Sequence, residues 1–413
     1  MNAPESGSYL GASRALQAMR AWHSELTDIR RTLHEHPELG FEEHFTAELV
    51  ARELQRFGVD EIHRGVGRTG VVGVIRGRST ASGRSIGLRA DMDALPMSEE
   101  GDPQWRSKRP GMMHACGHDG HTTMLLGAAR HLAHTRQFDG TVHLIFQPGE
   151  EGFAGARTMI QDGLFGRFPC DAVYAMHNWP ALAPGQIAVR PGPIMAASDR
   201  ITIRVKGHGG HGAHPYMTID PVLVAGHLIT AIQSIVARNV KAIDSAVISL
   251  CAMQAGDLRA MSVIPHEATL VGTVRTFRPE VQQDIEHRLR TLIESVAAGF
   301  GARAELDYQR GYPATVNTEA ESLFAAEVAR ELVGEDKVIT HLEPSMGSED
   351  FSFMLLERPG AYFRLGQGGA SAGRFLHNAC YDFNDEVLPL GAALFARLAE
   401  RAMACAIADE GTR

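Results

Sequence analysis

The 413-residue sequence predicts an α/β fold with a mostly parallel central sheet, interrupted by an inserted ferredoxin-like domain. Three observations carry that expectation. Segments 85–90, 142–146 and 172–177 are apolar almost without interruption, the composition of strands covered on both faces. Helix-period segments alternate with them, as in an α/β domain. Near residue 196 the pattern changes to β-α-β-β-α-β, and after residue 313 it changes back.

The elements follow in order. Segments 16–36 and 43–57 read as helices. The second sets Phe45, Leu49, Val50, Leu54 and Phe57 near one face and stops at Gly58. Strands are expected at 71–75 and 85–90. A helix follows at 121–134, with Leu125, Ala128, Ala129 and Leu132 at helical spacing, and then strands at 142–146 and 172–177. In the insertion, 200–206 alternates as a strand. Asp220-Pro221 pairs a capping side chain with a proline at the first helical position, which starts a helix to about residue 238. Strands at 245–253 and 268–277 come next, then a helix over 279–300 and a strand over 302–309. That helix buries Val281, Ile285, Leu289, Leu292, Ile293 and Val296. Gly192-Pro193 and Gly311-Tyr312-Pro313 suit hinges, so the expected domains are 1–195 with 310–413, and 196–309. A helix at 320–333, a strand at 361–365 and a helix at 385–408 complete the chain.

An apolar fraction of 44% can build substantial cores, and the net charge of −9 with no long basic run excludes nucleic acid as an expected partner. Segment 1–20 lacks the apolar core of a secretory signal, and no stretch reads as a bilayer span, so no membrane is expected either. Five cysteines, at 116, 170, 251, 380 and 405, are scattered and odd in number, which points to a reducing, cytoplasmic setting rather than a disulfide framework.

The chemistry concentrates in loops. Cys116-Gly117-His118 offers a thiolate and an imidazole, donors that suit zinc, manganese, cobalt or nickel better than magnesium or calcium. Glu150-Glu151 follows an apolar strand, where α/β sheets bind ligands. Neighbouring glutamates point differently in a loop, so one can ligate while the other faces substrate; the alternative is a solvated acidic turn. His177-Asn178 ends another apolar strand, and His377-Asn378 sits before the last helix. His177, alone, also fits a hydrogen-bonded loop residue. Asp91-Met92-Asp93 ends the 85–90 strand and also fits a turn or a helix cap. Cys116, His118, one glutamate, His177 and His377 exceed the four donors of a structural zinc. They fit two metals about 3.5–4 Å apart that share a water, with the spare glutamate as its base. That is the chemistry of amide hydrolysis.

The chain resembles the M20 metallopeptidase family, and within it the amidohydrolases that include hippurate hydrolase and the auxin-conjugate hydrolases. The matching segments are Arg31-Thr32-Leu33-His34-Glu35-His36-Pro37-Glu38-Leu39, Leu88-Arg89-Ala90-Asp91-Met92-Asp93-Ala94-Leu95-Pro96, Met113-His114-Ala115-Cys116-Gly117-His118-Asp119, Gln147-Pro148-Gly149-Glu150-Glu151, Gly209-Gly210-His211 and Gly347-Ser348-Glu349-Asp350-Phe351. The resemblance implies that Cys116, His118, Glu151, His177 and His377 bind two divalent metals (manganese, zinc, cobalt or nickel), with Glu150 as general base and Asp93 orienting a ligand. It implies that the insertion is a lid through which a homodimer or homotetramer forms. His211 would then stabilise the oxyanion in the partner subunit's site, while Asn239 and Arg275 hold the substrate's carboxylate. For Arg275, an exposed strand arginine is the competing reading. The implied substrates are N-acyl amino acids: hippurate-like, N-acetyl or indoleacetyl. A dipeptidase or aminopeptidase on the same centre is the alternative, and a non-catalytic homologue is disfavoured by the intact Glu150. Ser262-Val263-Ile264-Pro265 and Gly210-His211-Gly212-Ala213 depart from the more usual Asn-Val-Ile-Pro and Gly-His-Ala-Ala; neither removes a ligand.

Overall fold

The computed structural model describes residues 6–405, with side chains from residue 11 onward. The chain divides into two compact units. One comprises Met1–Gly192, Val316–Glu343 and Asp350–Arg413; the other comprises Pro193–Thr315 and Pro344–Glu349.

The first unit is built on a sheet ordered Glu61–Val66, Gly70–Arg76, Thr141–Gln147, Ser85–Asp91, Ala172–Trp179, Gly360–Gly366, Ile187–Ala188, Val338–Ile339. The four central strands are parallel. Pairing turns antiparallel towards Gly70–Arg76 and Glu61–Val66 on one side and at Ile187–Ala188 on the other. The Ser85–Asp91 and Gly360–Gly366 strands are buried along their whole length, which accounts for their apolar character. Helix His118–Thr135 is buried on nearly every side, with Leu388–Ala402, His23–Glu35 and His44–Phe57 packed against it. Because the central strands are parallel, their carboxyl ends deliver Asp91, Gln147 and His177 to one edge of the sheet.

Several boundaries differ from the sequence expectation. The 16–36 helix is two, Ser6–Ala21 and His23–Glu35, separated at Trp22, whose ring is stacked under Arg130 at 4.2 Å. The 121–134 helix begins earlier, at His118, because Gly117 turns the chain in the left-handed region with φ 92°. A Cβ on Gly117 would lie 2.5 Å from both Asn178 Oδ1 and Tyr381 Oη, so the close approach also requires glycine. The 385–408 helix is a 3₁₀ turn, Asp385–Val387, followed by Leu388–Ala402; residues 406–408 lie outside the described residues. Glu61–Val66, a polar edge strand, carried no apolar signal.

His143, in the Thr141–Gln147 strand, is buried, and burial together with the charges of His63 and Arg76 pushes it down to about 4. The unfolded chain takes up that proton near 6.5. The stability this group contributes is therefore complete above about pH 6.5 and is lost as pH falls towards about 4. Between about pH 7.5 and pH 5, His143→Phe is expected to lose about 2 kcal/mol less unfolding free energy than the parent, in urea titrations of the metal-free protein. Equal losses would contradict the assignment.

The second unit is a four-stranded antiparallel sheet ordered Ala246–Ala255, Glu267–Thr276, Ala197–Lys206, Arg303–Tyr312, with helices Pro221–Asn239 and Pro279–Gly299. Asp220 caps the first helix by accepting from the Val222 N–H at 2.8 Å. That helix, 19 residues long, is apolar enough by length and composition alone to cross a membrane, contrary to the expectation that no stretch would be. Its Val224, Leu228, Ile232 and Ile235 pack with Ile203, Leu270 and Leu289 in this unit's own core.

Candidate metal centre

Loops at the carboxyl edge of the first unit's sheet bring together every donor expected there. Ligand atoms of Cys116, His118 and His177 lie within 4.8 Å of one another, as do those of Cys116, Glu151 and His377, and those of His118, Glu150 and Glu151. Cys116 Sγ is 3.3 Å from His177 Nε2, and Glu151 Oε1 is 3.1 Å from His377 Nε2 and 4.0 Å from His118 Nε2. His377 is the exposed member. It has φ 59°, uncommon for a residue with a Cβ, and its N–H is anchored on the Ala115 carbonyl at 2.8 Å.

The histidines are held so that one nitrogen of each faces the cluster. His118 Nδ1 lies 3.3 Å from Asp93 Oδ1, and His177 Nδ1 is 2.7 Å from the Asn178 carbonyl. A proton on each Nδ1 leaves Nε2 with a lone pair to donate. Asp93 also accepts the backbone N–H groups of Glu150 and Glu151, at 3.0 and 2.9 Å. The turn or cap reading of Asp93 therefore has substance too, since the carboxylate holds the glutamate turn as well as the imidazole.

Residues without an assigned role in the sequence complete the support. Asp91 accepts from His121 Nδ1 at 2.6 Å and from Arg89 at 2.8 Å. The buried Arg89 guanidinium also donates to Gln147 and to Asp350, at 2.8 and 3.0 Å, and Asp350 accepts the Ala156 N–H at 2.9 Å. Beside the helix start, His34 Nδ1 meets Asp119 at 2.8 Å. Against the cost of burial, its bonds to Asp119 and Glu99 push His34 up to about 9. Arg89, His34 and Asp350 lie inside the matched segments, but apart from the Arg89–Asp91 pair their partners are distant in sequence.

The donor set fits divalent metal. Four carboxylates (Asp91, Asp93, Glu150 and Glu151) crowd the cluster, and His118 Nε2 is buried without a hydrogen-bond partner among the described residues. Burial and the charges of Glu151, Glu150 and Asp91 push the Cys116 thiol well above its usual range, and burial first, then the neighbouring His121, holds His177 neutral. Against the cost of burial, Asp91, Asp93 and Glu151 push His118 up to about 10. Cations placed among these groups reverse the balance, favouring thiolate and neutral imidazole.

His211, Asn239 and Arg275 belong to the second unit. His211 is exposed in a two-stranded ladder, opposite Val263, and its Nδ1 accepts from the Ala213 N–H at 3.0 Å. Gly212 and Ser262, the two departures from the family pattern, meet here: the Gly212 N–H donates to the Ser262 carbonyl at 2.7 Å. Asn239 is the exposed last residue of Pro221–Asn239. Arg275 is half-buried rather than exposed. It donates to Thr273 Oγ1 and the Val274 carbonyl, and it has no ion pair among the described residues.

Comparison with known proteins identifies the family. Residues 87–401 match the model of peptidase family M20/M25/M40. The hippurate hydrolase of Campylobacter jejuni is 42% identical over 375 residues, 91% of this chain and 96% of that one. The N-acetylcysteine deacetylase of Bacillus subtilis is 39% identical over 383 residues, 92% of this chain and 98% of that one. Among solved structures, a dinuclear metal-binding peptidase of the M20 family from Bacillus subtilis superposes with a TM-score of 0.81 at 36% identity, covering 93% of this chain and 99% of that one. A family match over three quarters of the length, together with relatives near 40% identity end to end, places this chain among the hydrolases of peptidase family M20/M25/M40.

Proposed function

We propose that this enzyme hydrolyses the amide bond of N-acyl amino acids, of the hippurate, N-acetyl or indoleacetyl kind, to a carboxylic acid and a free amino acid. The observation that carries the reading is the pair Glu150 and Glu151. Glu151 reaches His118 and His377, while Glu150, buried, lies in the same donor cluster and accepts from the Asp350 N–H at 3.3 Å. That arrangement supports one glutamate as ligand and its neighbour as carrier of the proton.

In this reading Cys116, His118, Glu151, His177 and His377 hold two divalent ions (manganese, zinc, cobalt or nickel), which when bound polarise the scissile carbonyl and make a water acidic near neutrality. Glu150 takes the proton of the attacking water and delivers it to the amide nitrogen, so that the amine leaves as the C–N bond breaks. Asp93 keeps the Glu150–Glu151 turn and the His118 ring in register. The second unit acts as a lid through which two or four copies assemble. His211, from the partner copy, donates to the oxyanion. Acceptance at Nδ1 leaves its Nε2–H free to do so, which supports the role. Arg275 and Asn239 take the substrate's carboxylate; the absence of an ion pair at Arg275 among the described residues supports that assignment. All five cysteines are free thiols, which supports a reducing, cytoplasmic setting.

The test is a panel: protein loaded with manganese, zinc, cobalt or nickel, offered hippurate, acetylated amino acids, indoleacetyl conjugates and dipeptides. Release of acid and amino acid from N-acyl substrates, abolished by chelation, is the expected result. Cleavage of dipeptides alone would replace this reading with a dipeptidase.

A further inference from the structure

The turn that carries the glutamate pair presents three successive backbone N–H groups, and carboxylates from elsewhere in the chain take all three. Asp93 accepts those of Glu150 and Glu151. The third, from Gly149, goes to Glu43 Oε1 at 2.8 Å, while Glu43 Oε2 accepts from the Thr69 hydroxyl at 2.5 Å. Glu43 is fully buried and has no ion pair among the described residues. Burial, and after it the charge of Asp93, pushes it up to about 7. A buried carboxyl group without a cation costs stability, and nothing in the helix it precedes, His44–Phe57, calls for that cost: its side chain makes no capping bond there. Its two oxygens are spent on the turn and on Thr69.

The backbone around the turn needs such a restraint. Gly149 has φ 59° and Ala154 has φ 56°, with Gly152 at 86° between them. Phe41, two residues before Glu43 and itself at φ 66°, packs edge-on against Phe153 at a ring separation of 5.9 Å. The Phe41–Glu43 loop thus grips the turn at both ends. We propose that Glu43 is a positioning residue: with Asp93 it clamps the Gly149-Glu150-Glu151 backbone so that one glutamate side chain reaches the metal donors and the other the reacting water. The two glutamate roles rest on the function proposed above; the clamp itself can be read separately through metal affinity.

The experiment compares Glu43→Ala, Glu43→Gln and the parent as manganese-loaded proteins. It measures kcat and KM on hippurate, manganese affinity by titration, and thermal melting. Glu43→Ala is expected to lower kcat and weaken manganese binding, each by about 10–100-fold, with KM within about threefold of the parent. Glu43→Gln keeps an acceptor for Gly149 and can donate to the Thr69 oxygen, so it should restore both to within about threefold. A folded alanine variant with parental affinity and kcat overturns the proposal, and so does a glutamine variant as impaired as alanine. If the alanine variant does not fold, Glu43→Asp serves in its place, since it keeps the charge but is too short to reach both partners. It should lose about 10-fold in kcat, and parental values for it overturn the proposal. Failure of the functional reading looks different, because the parent itself would leave hippurate intact while the manganese comparison still decides the clamp.

Discussion

Glu150→Gln is expected to lower turnover of N-acyl amino acids by about 10²–10⁴-fold with bound metal unchanged, the usual weight of a general base. The substitution keeps the size and hydrogen-bonding reach of a side chain buried beside His118 and Glu151. Its carbonyl can still accept from the Asp350 N–H, which meets Glu150 Oε1 at 3.3 Å. What it removes is the ability to take a proton from water and hand it to the amine. Steady-state kinetics with metal analysis of the same preparation checks this. Turnover within about tenfold of the parent would remove Glu150 from the base role. Loss of metal at unchanged intrinsic turnover would move it into the ligand set.

Asp93→Ala should be the most damaging single change outside the donor atoms. It strips the acceptor from the N–H groups of Glu150 and Glu151 and from His118 Nδ1. Each buried donor left unsatisfied costs about 1–3 kcal/mol, and loss of such an outer partner lowers metal affinity or activity by about 10–100-fold. Asp93→Asn is expected to fail almost as badly. The two carboxylate oxygens each accept a different N–H, and an amide nitrogen in either place opposes donor to donor. Metal titration and melting of both variants measure this, and an asparagine variant with parental affinity would show that one acceptor suffices.

Much of this architecture is legible in the sequence because it is local. The burial of Thr141–Gln147 and Ala172–Trp179 shows as apolar runs, and Glu150-Glu151 and His177 stand where those runs stop. What escapes is whatever depends on pairing through space. Glu43 meets Gly149 across 106 positions, and Asp350 meets Gln147 across 203. Neither residue has a neighbour pattern that announces its partner. Asp91, unassignable from its own loop, acquires a role only once His121 and Arg89 are seen against it. The buried Arg89 sits inside an otherwise apolar strand and is tolerated because Asp91, Asp350 and Gln147 together satisfy its charge and its N–H groups. The early start of the His118–Thr135 helix is likewise invisible to apolar periodicity, since it is set by the left-handed Gly117.

Cys116 and the surrounding imidazoles and carboxylates are proposed to form a two-metal centre. Titration of the metal-free protein with cobalt(II), followed by absorption, tests it most directly, because a thiolate bound to cobalt gives a charge-transfer band that histidine and carboxylate ligands do not. Saturation at two equivalents per chain is expected, with the thiolate band present in the parent and absent in Cys116→Ser. Saturation at one equivalent, or a parental spectrum in Cys116→Ser, would contradict it.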